Sequence, residues 1–479
     1  MDSVREACGV FGIYAPGVEA AHLVFDGLFA LQHRGQESAG MAVSDGQEIV
    51  VSKEMGLVTS AFDARKLASL TGSLALGHVR YSTGGASTWQ NAQPVYRSVG
   101  ETGFALGHNG NLTNVAQLEE EQNMLPGVSS SDSDLVAELL ALALADLEDP
   151  NRPDALEQAL LLVLPRLWGA YSFGLIDTKH LIAVRDPNGF RPLCLGRLEP
   201  TDTTPGGWVI ASESPALDIV GAKFVREIGP GEMLVIDDDG PRSVFPFAKE
   251  RIESRLCVFE FVYFARPDSK LFGKEVHAAR HRMGQQLAQE SFVEADIVLG
   301  VPDSGVPAAE GFAAASGIPF GQGLVKNRYI GRTFISPTPE ARIDAVRRKL
   351  NPLRESVEGR RLVVVDDSVV RGTTTGQIVR MLKEAGALEV HLRISSPPFA
   401  WPCFYGIDTP SRGELLASTM SPDEMAVFLE ADSVAFLSLE GMYKAIDADG
   451  AGFCSACLTG EYPTPVPVAI GEPRVALTT

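Results

Sequence analysis
VVVDDSVVRGTTT, residues 363–375, decides how the second half of this chain folds. An apolar strand at 362–365 delivers two adjacent acids, Asp366 and Asp367, to its carboxyl end. Open α/β sheets bind their ligands at that edge. Arg371-Gly372-Thr373-Thr374-Thr375 then turns into a helix, whose first N–H groups and hydroxyls suit a phosphate. The spacing is not that of the G-x-x-x-x-G-K-[ST] loop, which argues against a nucleoside triphosphatase.

The same strand–loop–helix grammar appears upstream in ADIVLGVPDSGVPAAEGFAAASG (295–317), with Asp303-Ser304-Gly305 at the turn. Such alternation implies a parallel sheet with helices on both faces. Between the two motifs lies KNRYIGRTFISPTPEARIDAVRRKL (326–350). From Lys326 to Arg361 ten bases face only four acids, in a chain whose net charge is −20. A basic island in an acidic chain focuses the field on an anion, although a solvated helix face produces similar runs. The acidic total argues against nucleic acid as a partner.

Up to about residue 240 the pattern differs: short strands such as SLALGHVRYS, FALGHNG and GWVIASES imply a mixed, mostly antiparallel sheet. Two helical stretches stand out, 23–35 and 131–149, the second opened by the capping-box-like Ser131-x-x-Asp134. The longest apolar region, 156–176, is broken by Pro165 and Arg166, so no membrane span is expected. Residues 1–7, MDSVREA, lack the apolar core of a secretory signal. These features point to the cytoplasm, where six cysteines are metal-binding or catalytic more often than disulfide-bonded. The proline-rich end from 441 reads as an extended tail.

Two acids at a strand end followed by a phosphate loop resemble the phosphoribosyl pyrophosphate (PRPP) signature of type I phosphoribosyltransferases. In the first half, CGVFG (8–12), LQHRGQESAG (31–40), HVRYST (78–83), HNGNLTN (108–114) and SDSD (131–134) resemble, in that order, the glutaminase domain of N-terminal-nucleophile amidotransferases. Taken together the chain resembles the glutamine PRPP amidotransferases, from Cys8 to about residue 460. The resemblance implies a two-domain protein of α/β and α+β class: an αββα N-terminal-nucleophile glutaminase sandwich, then a type I phosphoribosyltransferase domain on a parallel sheet. The expected divisions are a propeptide at 1–7, a glutaminase at 8–240, a phosphoribosyltransferase at 255–440 and a tail at 441–479.

Taken alone, Cys8 is a small apolar residue opening a buried strand. The resemblance makes it the nucleophile once residues 1–7 are removed. A free α-amine, titrating near pH 8, can then act as base toward its own thiol. Taken alone, Asn109-Gly110 signals a hairpin turn; the resemblance makes the pair the oxyanion hole. It also implies that Arg80 clamps the glutamine carboxylate and that Asp132 binds its ammonium. Arg34 is either an interdomain ion pair or a support of the glutamine site.

On the PRPP side it implies that Asp366 and Asp367 hold the ribose hydroxyls and, with Ser304, a Mg²⁺ ion. Ser368, Val369, Val370, Arg371, Gly372, Thr373 and Thr374 would form the loop around the 5-phosphate, and Asp303-Ser304 would face the pyrophosphate. The basic island would close over PRPP, with contacts from Tyr329, Arg332 and Lys349, and exclude water from a cation-like sugar.

Cys194 reads as plain core, leaving Cys257, Cys403, Cys454 and Cys457. Four thiolates suit zinc or an iron–sulfur cluster, and spacing alone does not choose. The iron-containing branch of the family has cysteines in the segments matching CVFEFVYFARPDS and PCFYGIDTP and in a late C-x-x-C, which implies one [4Fe–4S] cluster. The resemblance further implies a homotetramer inhibited by purine nucleotides and an internal passage for ammonia. Two other readings are another amidotransferase of this type, such as a hexosamine-phosphate synthase, and a PRPP-sensing regulator without catalysis. The first has no use for VVVDDSVVRGTTT, the second none for Cys8, Asn109 and Asp132.

Overall fold
The computed structural model describes residues 8–81, 87–124, 129–327, 348–409 and 411–466. The first half is built on two antiparallel sheets. One runs, edge to edge, through Lys223–Glu227, Cys194–Leu198, Gly207–Ala211, Gly9–Tyr14, Leu74–Arg80, Ser38–Ser44 and Ile49–Met55. The other runs through Gly240–Val244, Met233–Asp237, Leu181–Arg185, Gly169–Ile176, Thr102–Leu112 and Val95–Val99. The period of two along a strand assigns each side chain to a layer. In Gly9–Tyr14, Val10 points to the cluster between the sheets, with Leu76, Ala105, Ile176 and Ile210. Phe11 and Ile13 point outward, beneath the helix Ala20–Ala30. The helices Asp132–Ala145 and Ala155–Val163 cover the second sheet's outer face through Leu135, Leu139, Leu156 and Leu160. The result is the α–β–β–α layering that the resemblance implies.

Two local readings need correction. The apolar region at 156–176 holds more than sequence reading resolved: the helix Ala155–Val163 ends in a tight turn at Leu164–Arg166, then the strand Gly169–Ile176 begins. Asn109-Gly110 is not a hairpin turn. Both residues lie inside the strand Thr102–Leu112, opposite Ser172 and Tyr171. Glycine is required there for another reason: φ is +152° at Gly110, and a Cβ would lie 2.0 Å from the Ala170 carbonyl oxygen.

The second half carries a four-stranded parallel sheet in the order Ile297–Gly300, Arg361–Asp366, Glu389–Ile394, Ser433–Phe436. Both faces are covered, which is why its strands read as unbroken apolar runs. Val363 and Val365 pack toward the helices Val276–Glu290 and Val306–Ser316, while Leu362 and Val364 pack toward Thr373–Glu384 and Pro422–Phe428. The first two of these helices cross in close contact. A Cβ on Gly284 would come within 1.8 Å of the Ala308 carbonyl oxygen, and one on Gly311 within 1.8 Å of that of His281.

The division expected at 240 falls on the first residue of Gly240–Val244, which still belongs to the second sheet. The tail expected from 441 is not simply extended. Gly441 lies in the helix Leu439–Ala445, the strand Phe453–Cys454 pairs in parallel with Leu256–Cys257, and Ala456–Thr459 is a helical turn. Among the described residues no helix is long and apolar enough to cross a membrane.

Candidate active sites
Cys8 sits at the start of the central strand of the first sheet. Gly9 pairs with Val79, so the cysteine lies beside the end of Leu74–Arg80. Its thiol donates to the Tyr81 carbonyl at 3.3 Å and receives the Tyr81 N–H at 3.4 Å. Burial pushes the thiol up, against the pull of the Tyr81 hydrogen bond and of Arg80. The carboxylates of Glu37 and Asp132 also raise it. Arg80 is buried, with its guanidinium 3.6 Å from Glu37.

Asn109 is fully buried, and neither atom of its side-chain amide makes a hydrogen bond among the described residues. An orphaned buried polar group costs about 1–3 kcal/mol, so a ligand that engages it recovers that cost. Its neighbour His108 organises the surroundings. His78 Nε2 meets the His108 carbonyl at 2.9 Å, Gln93 Oε1 accepts the His108 N–H at 2.7 Å, and the His108 ring lies 3.6 Å from Asp132. Asp132 opens the helix Asp132–Ala145, whose N-cap Ser131 accepts from the Asp134 N–H as the sequence pattern predicts. Burial alone would raise the Asp132 carboxyl. His108 and the N–H groups of Leu112 and Ser133 hold it below its ordinary value instead. Sequence reading missed Glu37 and His108, whose roles arise from neighbours distant in the chain.

Arg34 resolves its two readings by making both kinds of contact. Its Nε donates to the Cys8 carbonyl at 3.1 Å. Its other nitrogens reach Glu213 and, as a fork at 3.0 and 2.7 Å, Glu260 from the second half of the chain. Burial would lower the guanidinium, but Glu260 and Glu213 keep it charged. Glu260 also takes Arg191 at 3.2 Å, and Arg191 donates to the Tyr405 carbonyl at 3.1 Å. In CVFEFVYFARPDS the sequence signal for Glu260 is an acid set among four aromatics, which marks it as buried and paired.

In the parallel sheet, Asp366 and Asp367 leave the strand end as a buried pair. Asp366 Oδ1 accepts the Asp367 N–H at 2.9 Å, and Ser368 donates to Asp367 at 2.7 Å. Burial and its neighbour push Asp366 well above the carboxylate range. Burial also raises Asp367, despite hydrogen bonds from Ser304 and Ser368 and the nearby Arg280. Ser304 is thus brought against the acid pair, whereas Asp303 is exposed and holds Lys326 at 2.5 Å. Val369 and Val370 are core residues under the loop. Gly372, at φ +78°, opens the helix that begins with Thr373 and Thr374. Arg371 Nε donates to Glu414 at 3.0 Å. The Lys349 carbonyl receives the Asn327 N–H at 2.8 Å, at the base of the basic island. Tyr329 and Arg332 lie outside the described residues.

The four remaining cysteines are buried and not disulfide-bonded. Cys257 and Cys454 are opposite each other in register, Cys457 follows one turn on, and its carbonyl accepts the N–H groups of Ala400 and Trp401 beside Cys403. Burial pushes Cys257 up to about 12 and raises Cys454 and Cys457 well above the ordinary thiol value. Cys257 and Cys454 each feel Cys403 and the cation of Arg191, and Cys454 also feels Cys257. Among the described residues no three histidine, cysteine or acidic side chains converge tightly enough to ligate one ion. Cys194 is core, as expected.

Fold and sites together define a two-domain glutamine-dependent transferase: an amide-cleaving half joined to a phosphoribosyl-transferring half. Residues 78–218 match the glutamine amidotransferase domain family and residues 274–395 the phosphoribosyl transferase domain family. The chain is 51% identical to the amidophosphoribosyltransferase of Mycobacterium tuberculosis (strain H37Rv) over 98% of its own length and 89% of that protein. It is 46% identical to that of Bacillus subtilis (strain 168), over 97% and 95%. A solved structure of the Bacillus subtilis enzyme, complexed with ADP and GMP, superposes with a TM-score of 0.86 over 96% of this chain and 98% of that one, at 46% identity. The chain belongs to the amidophosphoribosyltransferase family. It transfers the amide nitrogen of glutamine to PRPP, giving 5-phosphoribosylamine, glutamate and pyrophosphate, the first step of purine biosynthesis.

Proposed function
We propose that Cys8, freed of residues 1–7, is the nucleophile of the glutaminase half. Its α-amine takes the thiol proton as sulfur attacks the glutamine amide carbon. The charge that develops on the amide oxygen meets the Asn109 side chain and the Gly110 N–H. Arg80 holds the substrate carboxylate and Asp132 its ammonium, while Arg34 fixes the Cys8 carbonyl. The C–N bond breaks, ammonia leaves with the transferred proton, and water hydrolyses the glutamyl thioester. The observations that carry this reading are the Cys8 thiol held between the Tyr81 N–H and carbonyl, with Arg80 and Asp132 acting on its charge, and the buried Asn109 amide, which has no partner among the described residues. The expected domains are a glutaminase from residue 8, carried through the edge strand Gly240–Val244, and a phosphoribosyltransferase from 255, with the C-terminal segment closing on it.

Ammonia travels inside the protein to PRPP and displaces pyrophosphate at the sugar. Asp366 and Asp367 hold the ribose hydroxyls, and the backbone and hydroxyls of 368–374 hold the 5-phosphate. Asp303 and Ser304 face the pyrophosphate, and the basic island with Lys349 closes above. Buried carboxylates that resist ionisation side by side fit a hard divalent cation; Asp366, Asp367 and Ser304 would hold Mg²⁺, which supplies charge neutralisation for the leaving pyrophosphate. Cys257, Cys403, Cys454 and Cys457 fit a [4Fe–4S] cluster. Four buried thiols drawn from three segments would suit such a cluster, as the resemblance implies. Its role here is to fasten the C-terminal segment to the second half. ADP and GMP on the Bacillus subtilis relative support purine nucleotides as regulators of this chain. A homotetramer in the cytoplasm completes the reading.

Intact mass of the denatured protein, measured beside glutaminase activity, tests the nucleophile. Active protein is expected to lack residues 1–7. A chain that keeps them and hydrolyses glutamine at full rate would overturn the self-base mechanism.

A further inference from the structure
Glu260 stands where the two halves meet. It opens a single π-type turn, Glu260–Phe264, and is fully buried. The Arg34 fork on its two oxygens is the bidentate geometry of a guanidinium on a carboxylate. A guanidinium is planar and rigid, so fixing its fork also fixes the direction of Nε–H, and that N–H is bonded to the Cys8 carbonyl. The Oε1 oxygen that takes one arm of the fork also takes Arg191, which donates to the Tyr405 carbonyl. The next residue, Gly406, packs so closely that a Cβ on it would lie 3.0 Å from the Gly110 Cα. One carboxylate of the phosphoribosyltransferase half is therefore linked, by two arginines, to the nucleophile's backbone and to the strand that carries Asn109 and Gly110.

We infer that Glu260 is a positioning residue for the glutaminase reaction: through Arg34 it aims Cys8, and through Arg191 it seats the Gly110 strand, across the domain boundary. The inference rests on the reading of Cys8 as nucleophile. A buried ion pair that merely held the halves together would serve both reactions equally. A positioning residue serves the one that uses glutamine.

The experiment uses the full-length protein and three variants, Glu260→Gln, Arg34→Lys and the double variant. Pyrophosphate release is measured with glutamine and with ammonia as donor, alongside the rate of inactivation by the glutamine-like electrophile 6-diazo-5-oxonorleucine. Each single variant is expected to lose on the order of 100-fold in glutamine-dependent kcat/KM and to react more slowly with the electrophile. Its ammonia-dependent rate is expected to stay within about threefold, and the double variant to be no worse than the poorer single one. Equal loss with both donors, losses that multiply in the double variant, or unchanged glutamine use in Glu260→Gln would each overturn the inference. Cys8→Ser separates the two levels. If it still uses glutamine, the nucleophile reading falls; if it does not, while Glu260→Gln is normal, only the positioning role falls.

Discussion

The glutamine site and the PRPP site are assembled on opposite principles. Around Cys8 the charges are paired before any substrate arrives: Arg34 with Glu213 and Glu260, Arg80 with Glu37, Asp132 with His108. The buried Asn109 amide has no hydrogen-bond partner among the described residues. At the PRPP site two carboxyls are buried side by side, and burial together with their mutual repulsion raises Asp366 well above its ordinary value. The first site is preorganised by the fold; the second is incomplete without the positive charge its ligand brings. The difference teaches where each reaction is sensitive. Glutamine chemistry depends on distant packing, whereas PRPP chemistry depends on a short, local loop.

The largest effect is expected at the acid pair. Asp366→Asn should lower pyrophosphate release on the order of 1,000-fold with either nitrogen donor, because both routes share the sugar; a loss confined to the glutamine route would erase the contrast. Next comes Asn109→Ala, expected to cost on the order of 100-fold with glutamine by removing one oxyanion donor. Ammonia-dependent synthesis should be unchanged, and a parallel fall there would assign Asn109 to the fold instead of the chemistry.

Stability sharpens the same comparison. Gly311→Val places side-chain atoms where the His281 carbonyl already sits, and should destabilise the second half by about 1–3 kcal/mol. Differential scanning calorimetry should show a lowered transition with the first half's unaffected; an unshifted transition would mean the helices separate freely. The smallest effect concerns His78, which burial depresses to about 3. Below about pH 6.5 the unfolded chain binds a proton that the native state refuses, so stability falls as pH falls, by up to about 1.4 kcal/mol per unit. Urea midpoints at pH 7 and pH 5 should differ less in His78→Gln than in the parent. Equal differences would show that native His78 is protonated.

How much of this was legible in the sequence follows from the same contrast. The PRPP loop could be read directly, because strand end, acids and phosphate turn are contiguous from Val363 to Thr375. The glutaminase residues could be read only as a series of motifs in order, since Cys8 comes beside Arg80 through strand pairing, while Asn109 lies in the other sheet and Asp132 opens a helix. Asn109-Gly110 misled as a turn, because a local preference cannot report that Ala170 leaves no room for a side chain. The Arg34–Glu260–Arg191 linkage was out of reach for the same reason: 226 residues separate Arg34 from Glu260. Nor could the contiguous loop announce that the Arg371 side chain meets Glu414, an acid 43 residues away.

One measurement addresses the division of labour most directly: pyrophosphate release by Cys8→Ala, with glutamine and with ammonia, on a single preparation. Two separately built sites require that glutamine-dependent release vanish while ammonia-dependent release stays at the parent's rate. Release that persists with glutamine, or that disappears with ammonia as well, would contradict a glutaminase centred on Cys8 feeding an independent PRPP site.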